Sequence, residues 1–407
     1  MRVHVFVALL LFAACSGESE GQAPPPQGDW VEQAAPNADG QTPAFPQQTR
    51  APEQRSNVAI HVEEIAAGLE HPWAIVFLPD GRMLVTERPG RLRVITRTGQ
   101  ISAPVAGLPA VDARGQGGLL DVVLSPAFAQ DRLIYWSYAE PRGDGQNGSS
   151  VARGRLNADA TAVERAQVIF QQRPAFAGRA HYGSRLVFDR QGHLFITLGE
   201  RQRTPIRDRA QDLAYGMGKI MRLNADGGVP ADNPFVGRAG AQPEIWSYGH
   251  RNVQGADLNP ATGELWTIEH GPQGGDELNI PRAGRNYGWP IITYGEDYDG
   301  TPIGRGITSQ RGMEQPIYYW DPVIAPGDMD FYRGSLFPWH GDILIAALRG
   351  EALVRLKIEG ERVVGEERLL RGQVGRLRDL AEDETGALWV ITDDENGRLL
   401  KLTPAAQ

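Results

Sequence analysis

Short apolar runs of four or five residues recur along this chain, and each run follows a turn that contains Asp or Gly. The copies of this signature are Asp80–Thr86, Gln130–Trp136, Gln191–Thr197, Thr262–Ile268, His340–Ala346 and Thr385–Ile391. Several copies also have an apolar segment before the turn, such as Ile75–Pro79, and another after the run, such as Leu92–Ile95. Turn residues followed by branched and aromatic apolar residues are typical of β-strands. Helix-period patterns are scarce, so the pattern predicts an all-β fold.

The spacing of the copies indicates how the strands are arranged. The copies lie roughly 45 to 80 residues apart, the range expected for propeller blades with some long loops. We therefore predict a six-bladed β-propeller over residues 57–407. A β-sandwich or two smaller β domains would also have evenly spaced strands. Six copies of one signature favour radial repetition over both alternatives.

Charged residues follow the apolar run in most copies. Equivalent positions of successive propeller blades face one end of the central channel, so we expect these side chains to converge on one face. Taken singly, each is more typical of a solvated turn. The residues are Glu87, Arg88, Glu200, Glu269, His270, Arg349, Asp393 and Asp394.

The N-terminus predicts export. Arg2 precedes an apolar segment, Val5–Ala14, that is too short to span a bilayer as a helix. The segment ends in Leu11–Cys15, which resembles a bacterial lipobox, so residues 1–15 are predicted to be a lipoprotein-type signal peptide with Cys15 as the lipidated residue. The prediction is an exported, periplasmic protein that is anchored to the outer membrane only by lipid. The alternative is simple secretion without an anchor.

Residues 16–56 are rich in Pro, Gln, Gly and Ala, with few branched apolar residues. Such a composition buries little apolar surface, so we predict a disordered tether between the anchor and the propeller. The formal net charge of the 407-residue chain is −9, which argues against a nucleic-acid partner and favours a small ligand.

The loop from Glu269 to Pro290 is the strongest candidate for a site. It follows an apolar run and is rich in Gly and Pro, which expose backbone carbonyl oxygens and hold them in place. It also carries Asp276 and Glu277, and fixed carbonyls with carboxylates suit a hard cation such as calcium. The alternative is an ordinary polar loop. The aromatic pair Tyr287 and Trp289 in the same loop favours a site.

Four further segments carry residues suited to ligand binding. His181 lies where a loop enters a strand, and Arg251 and Asn252 lie between two strand patterns. Arg376 and Arg378 alternate, so in a strand both guanidinium groups lie on one face and require an anion between them. Gln116 lies among glycines that permit close approach of a ligand. These residues indicate a planar anionic ligand with several carboxylates, bound near a cation.

Together these motifs resemble the glucose/sorbosone dehydrogenase family, whose members are soluble quinoproteins that use pyrroloquinoline quinone (PQQ). The resemblance is strongest to the bacterial aldose sugar dehydrogenases and covers about residues 60–403. It rests on several separate motifs in the right order. It implies a six-bladed propeller that oxidises aldoses at C1 to the lactone, with PQQ and calcium (Ca2+) as cofactors.

The resemblance also implies roles for individual residues. His181 is the expected general base, and Arg251 is expected to polarise the quinone oxygen. The residues expected to hold the quinone and its carboxylates are Gln116, Asn252, Arg349, Arg376 and Arg378. The residues expected at two calcium sites are Gly271 and Pro272, through their carbonyls, and Glu277 with the carbonyl of Tyr287. The chain departs from the pattern at Ala180, where some relatives carry Asp, at Val323, where some carry Thr, and at Arg349, where many carry Lys.

Two other functions fit the same fold. A calcium-dependent lactonase or esterase needs several carboxylates around a metal deep in the channel, whereas this loop offers mainly carbonyls. A non-enzymatic binding propeller would have no reason to keep His181, Arg251 and the two alternating arginines together. The sequence does not identify the electron acceptor, and we expect a monomer or a weak dimer.

Overall fold

The computed structural model describes residues 30–38 and 40–405 of the chain, and strands dominate this part. The strands of the first half are β1 (Ile60–Leu69), β2 (Pro72–Phe77), β3 (Met83–Glu87), β4 (Arg91–Ile95), β5 (Leu119–Leu124), β6 (Leu133–Pro141), β7 (Asn147–Leu156), β8 (Val163–Gln171), β9 (Gly183–Phe188), β10 (His193–Leu198), β11 (Lys219–Asn224) and β12 (Ile245–Tyr248). Those of the second half are β13 (Val253–Leu258), β14 (Leu265–Glu269), β15 (Asp276–Asn279), β16 (Tyr318–Trp320), β17 (Pro326–Phe331), β18 (Ile343–Ala347), β19 (Ala352–Glu359), β20 (Arg362–Leu369), β21 (Leu377–Glu382), β22 (Leu388–Thr392) and β23 (Gly397–Pro404). A helical turn, α1 (Phe128–Asp131), and a 3₁₀-helix (Arg207–Gln211) complete the regular structure.

The strands form six antiparallel sheets, which confirms the predicted six-bladed propeller. Blade 1 is β2–β4, blade 2 is β5–β8, blade 3 is β9–β12, blade 4 is β13–β16 and blade 5 is β17–β20. Blade 6 consists of β21, β22 and β23 with β1 as its outermost strand. The innermost strands contact one another in a closed ring, in the order β2, β5, β9, β13, β17, β21 and back to β2. Each copy of the sequence signature forms the second strand of its blade.

The two ends of the propeller domain meet in blade 6. Strand β1 pairs antiparallel with β23, from Ile60 opposite Pro404 to Leu69 opposite Gly397. The N-terminal strand therefore completes a sheet made from the C-terminal residues. Closure of this kind ties the ring together and shortens the exposed strand edges.

Aromatic residues on the second strands explain why a repeated signature gives a ring. Trp389 on β22 packs edge-on against Phe77 on β2, with ring centroids 5.6 Å apart. Trp266 on β14 makes the same kind of contact with Phe331 on β17, at 5.4 Å. Each pair joins two neighbouring blades, and edge-on aromatic pairs add to the free energy of area burial. The apolar runs thus bury their side chains between blades.

All six blades meet at the buried guanidinium group of Arg185, on the innermost strand of blade 3. Arg185 forms ion pairs with Asp121 at 3.1 Å, Asp328 at 3.1 Å and Asp379 at 2.8 Å. These carboxylates come from blades 2, 5 and 6. Arg185 Nε also donates to the carbonyl of Gln254 in blade 4 at 2.9 Å, and the guanidinium lies 4.6 Å from the ring centroid of Trp73 in blade 1. We call these six residues the central hub.

Part of the segment predicted as a tether lies against the propeller. Gln48 is fully buried, where its Nε2 donates to the carbonyl of Pro316 at 2.8 Å and its Oε1 accepts from the hydroxyl of Tyr294 at 2.9 Å. The backbone N–H groups of Asn37 and Ala38 donate to the carboxylate of Asp321, at 2.8 and 3.0 Å. Composition does not reveal these contacts, because they depend on polar partners far away in the sequence. Over 40–56 the chain therefore runs along the outer strands of blades 4 and 5.

The signal peptide and Cys15 lie outside the described residues, so the lipid anchor stays a prediction. Within residues 30–38 and 40–405, no helix is long and apolar enough to cross a membrane.

Candidate active site

The polar residues singled out in the sequence lie at one end of the channel. Three of them lie just before the innermost strand of a blade: His181, Asn252 and Arg376. Two others, Glu200 and Asp393, follow second strands. Because the innermost strands all run in the same direction along the channel, these positions share one face. We call the side chains of His181, Glu200, Arg251, Asn252, Arg376 and Arg378 the polar face.

His181 is buried and held in an unusual backbone conformation. Its φ of 49° lies in the left-handed region, which is uncommon for a residue with a side chain. The N–H of His181 donates to Oε1 of Gln116 at 2.9 Å, so this predicted ligand contact also holds the backbone of His181. The ring nitrogen Nδ1 lies 3.1 and 3.0 Å from the two carboxylate oxygens of Glu200. A carboxylate accepts, so the proton of the neutral ring is on Nδ1 and the lone pair is on Nε2.

The electrostatic surroundings of His181 keep it neutral. Burial lowers the pKa of His181 below its ordinary value, and the positive charge of Arg251 lowers it further, while Glu200 opposes both. In Glu200 burial favours the protonated form, but His181 and Arg251 outweigh it and hold the pKa of the carboxyl below its usual range. The pair at neutral pH is therefore a neutral imidazole hydrogen-bonded to a carboxylate, which is the form that can accept a proton.

Sequence reasoning missed the partner of His181. Ala180, directly before His181, has no carboxylate, and Glu200, two residues after the end of β10, supplies one. The position of Glu200 after a second strand was a signal that it faces the channel. The distance to His181 could not be read from the sequence, because 19 residues separate the two.

Arg251 and Asn252 lie next to this pair. Arg251 Nη1 donates to the carbonyls of His270 at 2.9 Å and Gly271 at 2.6 Å, and its guanidinium lies 5.2 Å from the ring centroid of Trp289. Its Nε is buried and has no hydrogen-bond partner among the described residues. Asn252 Oδ1 accepts the N–H of Gly183 at 3.0 Å.

Gly199 shows how closely these loops approach. A Cβ atom there would lie 2.1 Å from the carbonyl oxygen of His181 and 2.9 Å from Oδ1 of Asn252. Only glycine fits between the base and the amide.

Arg376 and Arg378 do lie together, and the anion between them comes from the protein. Arg376 Nη2 and Arg378 Nη2 both donate to Oδ2 of Asp393, at 3.0 and 2.9 Å. Although burial favours protonation, the two guanidinium groups hold the pKa of Asp393 well below its usual range. Arg378 Nη1 donates to Gln254 at 2.9 Å, while its Nε is buried without a hydrogen-bond partner among the described residues. Arg378 therefore keeps one buried donor, Nε, that a ligand could use.

Two more arginines were expected at this end of the channel. Arg349 is exposed just after β18, and its N–H donates to the carbonyl of Ile324 at 3.0 Å, next to the blade 5 entry. Arg88 was predicted to face the channel but had no assigned role. Its Nε donates to the carbonyl of Gly117 at 3.1 Å, and burial and the charge of Arg378 lower its pKa. Arg88 therefore lies close enough to Arg378 for the two positive charges to interact.

The Gly271–Pro272 loop is held by Asp276. Oδ1 of Asp276 accepts the N–H of Gly271 at 2.8 Å, and Oδ2 accepts the N–H groups of Ile324 and Ala325 at 2.8 and 2.7 Å. Burial raises the pKa of this carboxyl to about 7. Asp276 thus acts as a brace for the loop whose carbonyls were predicted to bind calcium. The Gly271 carbonyl accepts a hydrogen bond from the guanidinium of Arg251, so its oxygen faces the polar face.

Glu277 lies beside Glu269 in the adjacent strand of blade 4. The side-chain amide of Asn279 donates to both carboxylates, at 3.2 and 3.1 Å. Burial, and then the charge of Glu269, raise the pKa of Glu277 well above its ordinary value. The Tyr287 ring stacks on His250 with centroids 4.7 Å apart, and its hydroxyl donates to the carbonyl of Ile280 at 2.5 Å. Across residues 30–38 and 40–405, no group of three or more His, Cys, Asp or Glu side chains is arranged to hold a metal.

A cavity of about 610 Å³ opens at the other end of the channel. The C-terminal halves of the innermost strands line it, with the charged residues Asp257, Asp330, Arg333 and Glu382 at its walls. The central hub separates this cavity from His181. Its size does not make it the candidate active site, because the paired His181 and Glu200 lie on the opposite face.

The part of the chain that matches known proteins includes every residue of the polar face. The family model described as "Glucose / Sorbosone dehydrogenase" matches residues 69–401. The aldose sugar dehydrogenase YliI of Escherichia coli is 45% identical over 349 residues, which cover 85% of this chain and 93% of that protein. Quinoprotein glucose dehydrogenase B of Acinetobacter calcoaceticus is 31% identical over 372 residues, which cover 72% of this chain and 77% of that protein.

Solved structures give the same result. The apo form of the soluble aldose sugar dehydrogenase of Escherichia coli matches with a TM-score of 0.83 at 44% identity, covering 85% of this chain and 100% of that one. The PQQ-bound form of an aldose sugar dehydrogenase from Streptomyces coelicolor matches with a TM-score of 0.72 at 28% identity, covering 86% and 99%. The likeness in sequence and in fold therefore extends over all six blades.

Proposed function

This chain belongs to the glucose/sorbosone dehydrogenase family, and we propose from that premise that it oxidises aldoses at C1 to the lactone with PQQ and calcium as cofactors. It is an oxidoreductase that acts on sugars. The observation that carries the finer proposal is the buried His181–Glu200 pair beside guanidinium groups that keep unused donors.

The polar face fits a planar quinone with several carboxylates. Such a ligand needs several fixed cationic donors, because carboxylates are strongly solvated in water. The Nε atoms of Arg251 and Arg378 are buried donors without partners among the described residues. The residues that would hold the quinone are Gln116, Asn252, Arg349, Arg376 and Arg378, with Arg88 as a further cation.

His181 is the proposed general base. Glu200 fixes the ring and keeps the proton on Nδ1, so Nε2 is the atom that accepts the proton of the sugar's C1 hydroxyl. Loss of that proton lets the O–H electron pair form the C1=O bond, while the hydrogen on C1 leaves as hydride with both electrons of the C1–H bond. Bound PQQ supplies the acceptor for the hydride. His181 then carries the proton as an imidazolium that the Glu200 carboxylate stabilises.

Arg251 is proposed to stabilise negative charge on the hydride acceptor. The carbonyls of His270 and Gly271 and the ring of Trp289 orient its guanidinium. A cationic donor fixed in advance, in a site shielded from water, stabilises developing negative charge without reorganisation. Arg251 would therefore stabilise the negative charge that develops on the acceptor during hydride transfer, without changing its own position.

Calcium is the proposed metal at the Gly271–Pro272 carbonyls, where it would supply a positive charge that polarises the bound quinone. Carbonyl oxygens fit a hard cation, and the brace formed by Asp276 fixes the loop that presents them. A second calcium at Glu277 and the Tyr287 carbonyl would neutralise the adjacent carboxylates of Glu269 and Glu277.

The direct test is a dye-linked assay. Protein freed of cofactor should reduce an artificial electron acceptor with glucose only after addition of PQQ and calcium, and a calcium chelator should abolish the activity. Gluconolactone should appear as the product. Oxidation that persists after complete removal of PQQ would refute the proposal, and hydrolysis of lactones without dye reduction would favour the lactonase alternative.

We also propose that the protein works outside the cytoplasm, attached to the outer membrane through Cys15. A lipidated N-terminal Cys carries more than one acyl chain in bacteria, and more than one chain gives stable anchoring. The variant Cys15→Ser should move the protein from the membrane fraction to the soluble fraction. Wild-type protein that is already soluble after lysis would favour simple secretion.

A further inference from the structure

Tyr298 is the most exposed large hydrophobic side chain among the described residues, at 61% of its full surface. A single exposed apolar residue is ordinary in itself. Tyr298 differs because its hydroxyl lies 3.4 Å from Nη2 of Arg251, so the ring lies at the edge of the polar face. An aromatic ring at this place is therefore open to solvent and next to the proposed site of oxidation.

The turn that carries Tyr298 is well fixed. The N–H of Asp297 donates to the carbonyl of Thr301 at 2.8 Å, and the N–H of Tyr298 donates to the side chain of Asp297 at 2.8 Å. Glu296 and Gln273 exchange two backbone hydrogen bonds of 3.0 Å, and their side chains form a third at 2.8 Å. These bonds join the turn to the loop of Gly271 and Pro272. The exposed ring is thus held in place by the same loop that presents the carbonyls.

The faces of the ring remain available. Across the described ranges, no other aromatic ring packs against Tyr298 and no cationic side chain lies over it, whereas buried Trp289 carries the guanidinium of Arg251. The contact between Tyr298 and Arg251 is long for a hydrogen bond and would be easy to displace. A fixed aromatic ring with one polar end suits a ligand that has both C–H faces and hydroxyl groups.

We propose that Tyr298 is the stacking platform for the aldose, with its ring against the C–H face of the sugar. This inference rests on the proposed function, because it places the sugar beside Arg251 and His181. Stacking contributes affinity through contact with a shape shared by many pyranoses and reads individual hydroxyl groups poorly. Sharp discrimination requires buried polar partners for each hydroxyl. The platform therefore gives a broad range of aldoses, including disaccharides whose second ring extends into solvent.

The test compares Tyr298→Ala with Tyr298→Phe in the enzyme loaded with PQQ and calcium. Tyr298→Ala should raise KM for glucose and for maltose by about tenfold, the effect of losing one favourable aromatic contact, with kcat changed by less than about threefold. Tyr298→Phe keeps the ring and should restore most of the lost affinity. The control Val236→Ala truncates another exposed apolar side chain, away from the polar face, and should leave both constants unchanged.

A binding measurement separates the platform from the chemistry. 1-Deoxyglucose lacks the C1 hydroxyl and cannot be oxidised there, so its binding to the loaded protein can be followed by calorimetry. Its dissociation constant should rise about tenfold in Tyr298→Ala. Unchanged binding and unchanged KM in that variant would overturn the proposal, as would equal losses in the Ala and Phe variants. If wild-type protein with PQQ does not oxidise glucose at all, the proposed function fails instead.

Discussion

The proposed role of His181 as a base is supported by surroundings that favour the neutral ring. Burial excludes the water that would solvate an imidazolium, and Arg251 adds a nearby positive charge. The carboxylate of Glu200 orients the ring and lessens the cost of protonation during the reaction. The two residues are therefore proposed to have separate tasks. His181 accepts the proton, and Glu200 positions the imidazole ring that accepts it.

Replacement of the base tests the first task. His181→Ala should lower kcat by about two to four decades, the usual effect of losing a positioned general base. PQQ binding, measured by absorbance titration, should persist because the arginines that would hold it are unchanged. A variant with near-normal kcat would show that another group takes the proton.

The pH dependence tests the second task. Since the pKa of His181 is below its ordinary value of 6.5, kcat/KM should be on a plateau at pH 7 and should fall only as the pH drops below this lowered pKa. Glu200 raises the pKa of His181, so Glu200→Gln should move this acid limb to still lower pH and also reduce kcat. An acid limb that stays in place in the variant would contradict the pairing.

At the scale of the elements, the connection between β10 and β11 positions part of the active-site wall. Its 3₁₀-helix ends beside the fully buried side-chain nitrogen of Lys219, at the start of β11. Nζ of Lys219 donates to the carbonyls of Arg209 at 3.0 Å, Ala210 at 2.9 Å and Met217 at 2.6 Å. Ala210 in turn packs with Trp289, whose ring lies beneath Arg251.

Lys219→Met should therefore loosen this connection. The substitution keeps the aliphatic volume but removes the donor to three carbonyls in a buried site, which should lower the free energy of unfolding by about 2 kcal/mol or more. Urea denaturation measures the loss. The matched control is Lys357→Met on β19, where the side chain is exposed and the effect should be small. Equal stability of the two variants would show that Lys219 does not hold the connection.

The elements were predictable from the sequence, whereas several of their contacts were not. A strand and its turn are local features, so the run of Thr262–Ile268 predicts β14 directly. The roles of Glu200 and Asp393 depend on contacts between residues 15 to 19 positions apart, which flank neighbouring strands of one blade. Arg376 and Arg378 showed that an anion was needed, but no local pattern indicates that Asp393 supplies it. The same limit explains why the buried contacts of Gln48 were not foreseen.

At the scale of the whole molecule, the central hub joins the blades around one charge. Arg185 stabilises three buried carboxylates, and without it they would be unpaired in the centre of the ring. Burial raises the pKa of Asp121 to about 6 even with Arg185 present. The hub thus couples the stability of the ring to the ionisation of its carboxyl groups.

Arg185→Met should lower the free energy of unfolding at pH 8 by about 3–5 kcal/mol, the cost of breaking a buried ion pair from one side. A buried carboxyl group with a raised pKa destabilises the folded protein only when it is ionised. The destabilisation of the variant therefore grows as the pH rises through that pKa and is relieved below it. The loss should therefore be smaller at pH 5 than at pH 8. The control Arg311→Met changes an exposed residue and should have little effect at either pH. A loss for Arg185→Met that does not depend on pH would contradict the role of the carboxylates.

In the proposed mechanism, one face of the propeller brings a base and a hydride acceptor to the same sugar carbon. The most direct measurement is a single turnover without oxygen, in which protein loaded with one equivalent of PQQ and calcium is mixed with glucose and the absorbance of the cofactor is followed. The wild-type protein should reduce one equivalent of quinone and release one equivalent of lactone, while loaded His181→Ala should react slower by about two to four decades. Reduction at equal rates in both proteins, or oxidation of glucose in protein free of PQQ, would contradict the account.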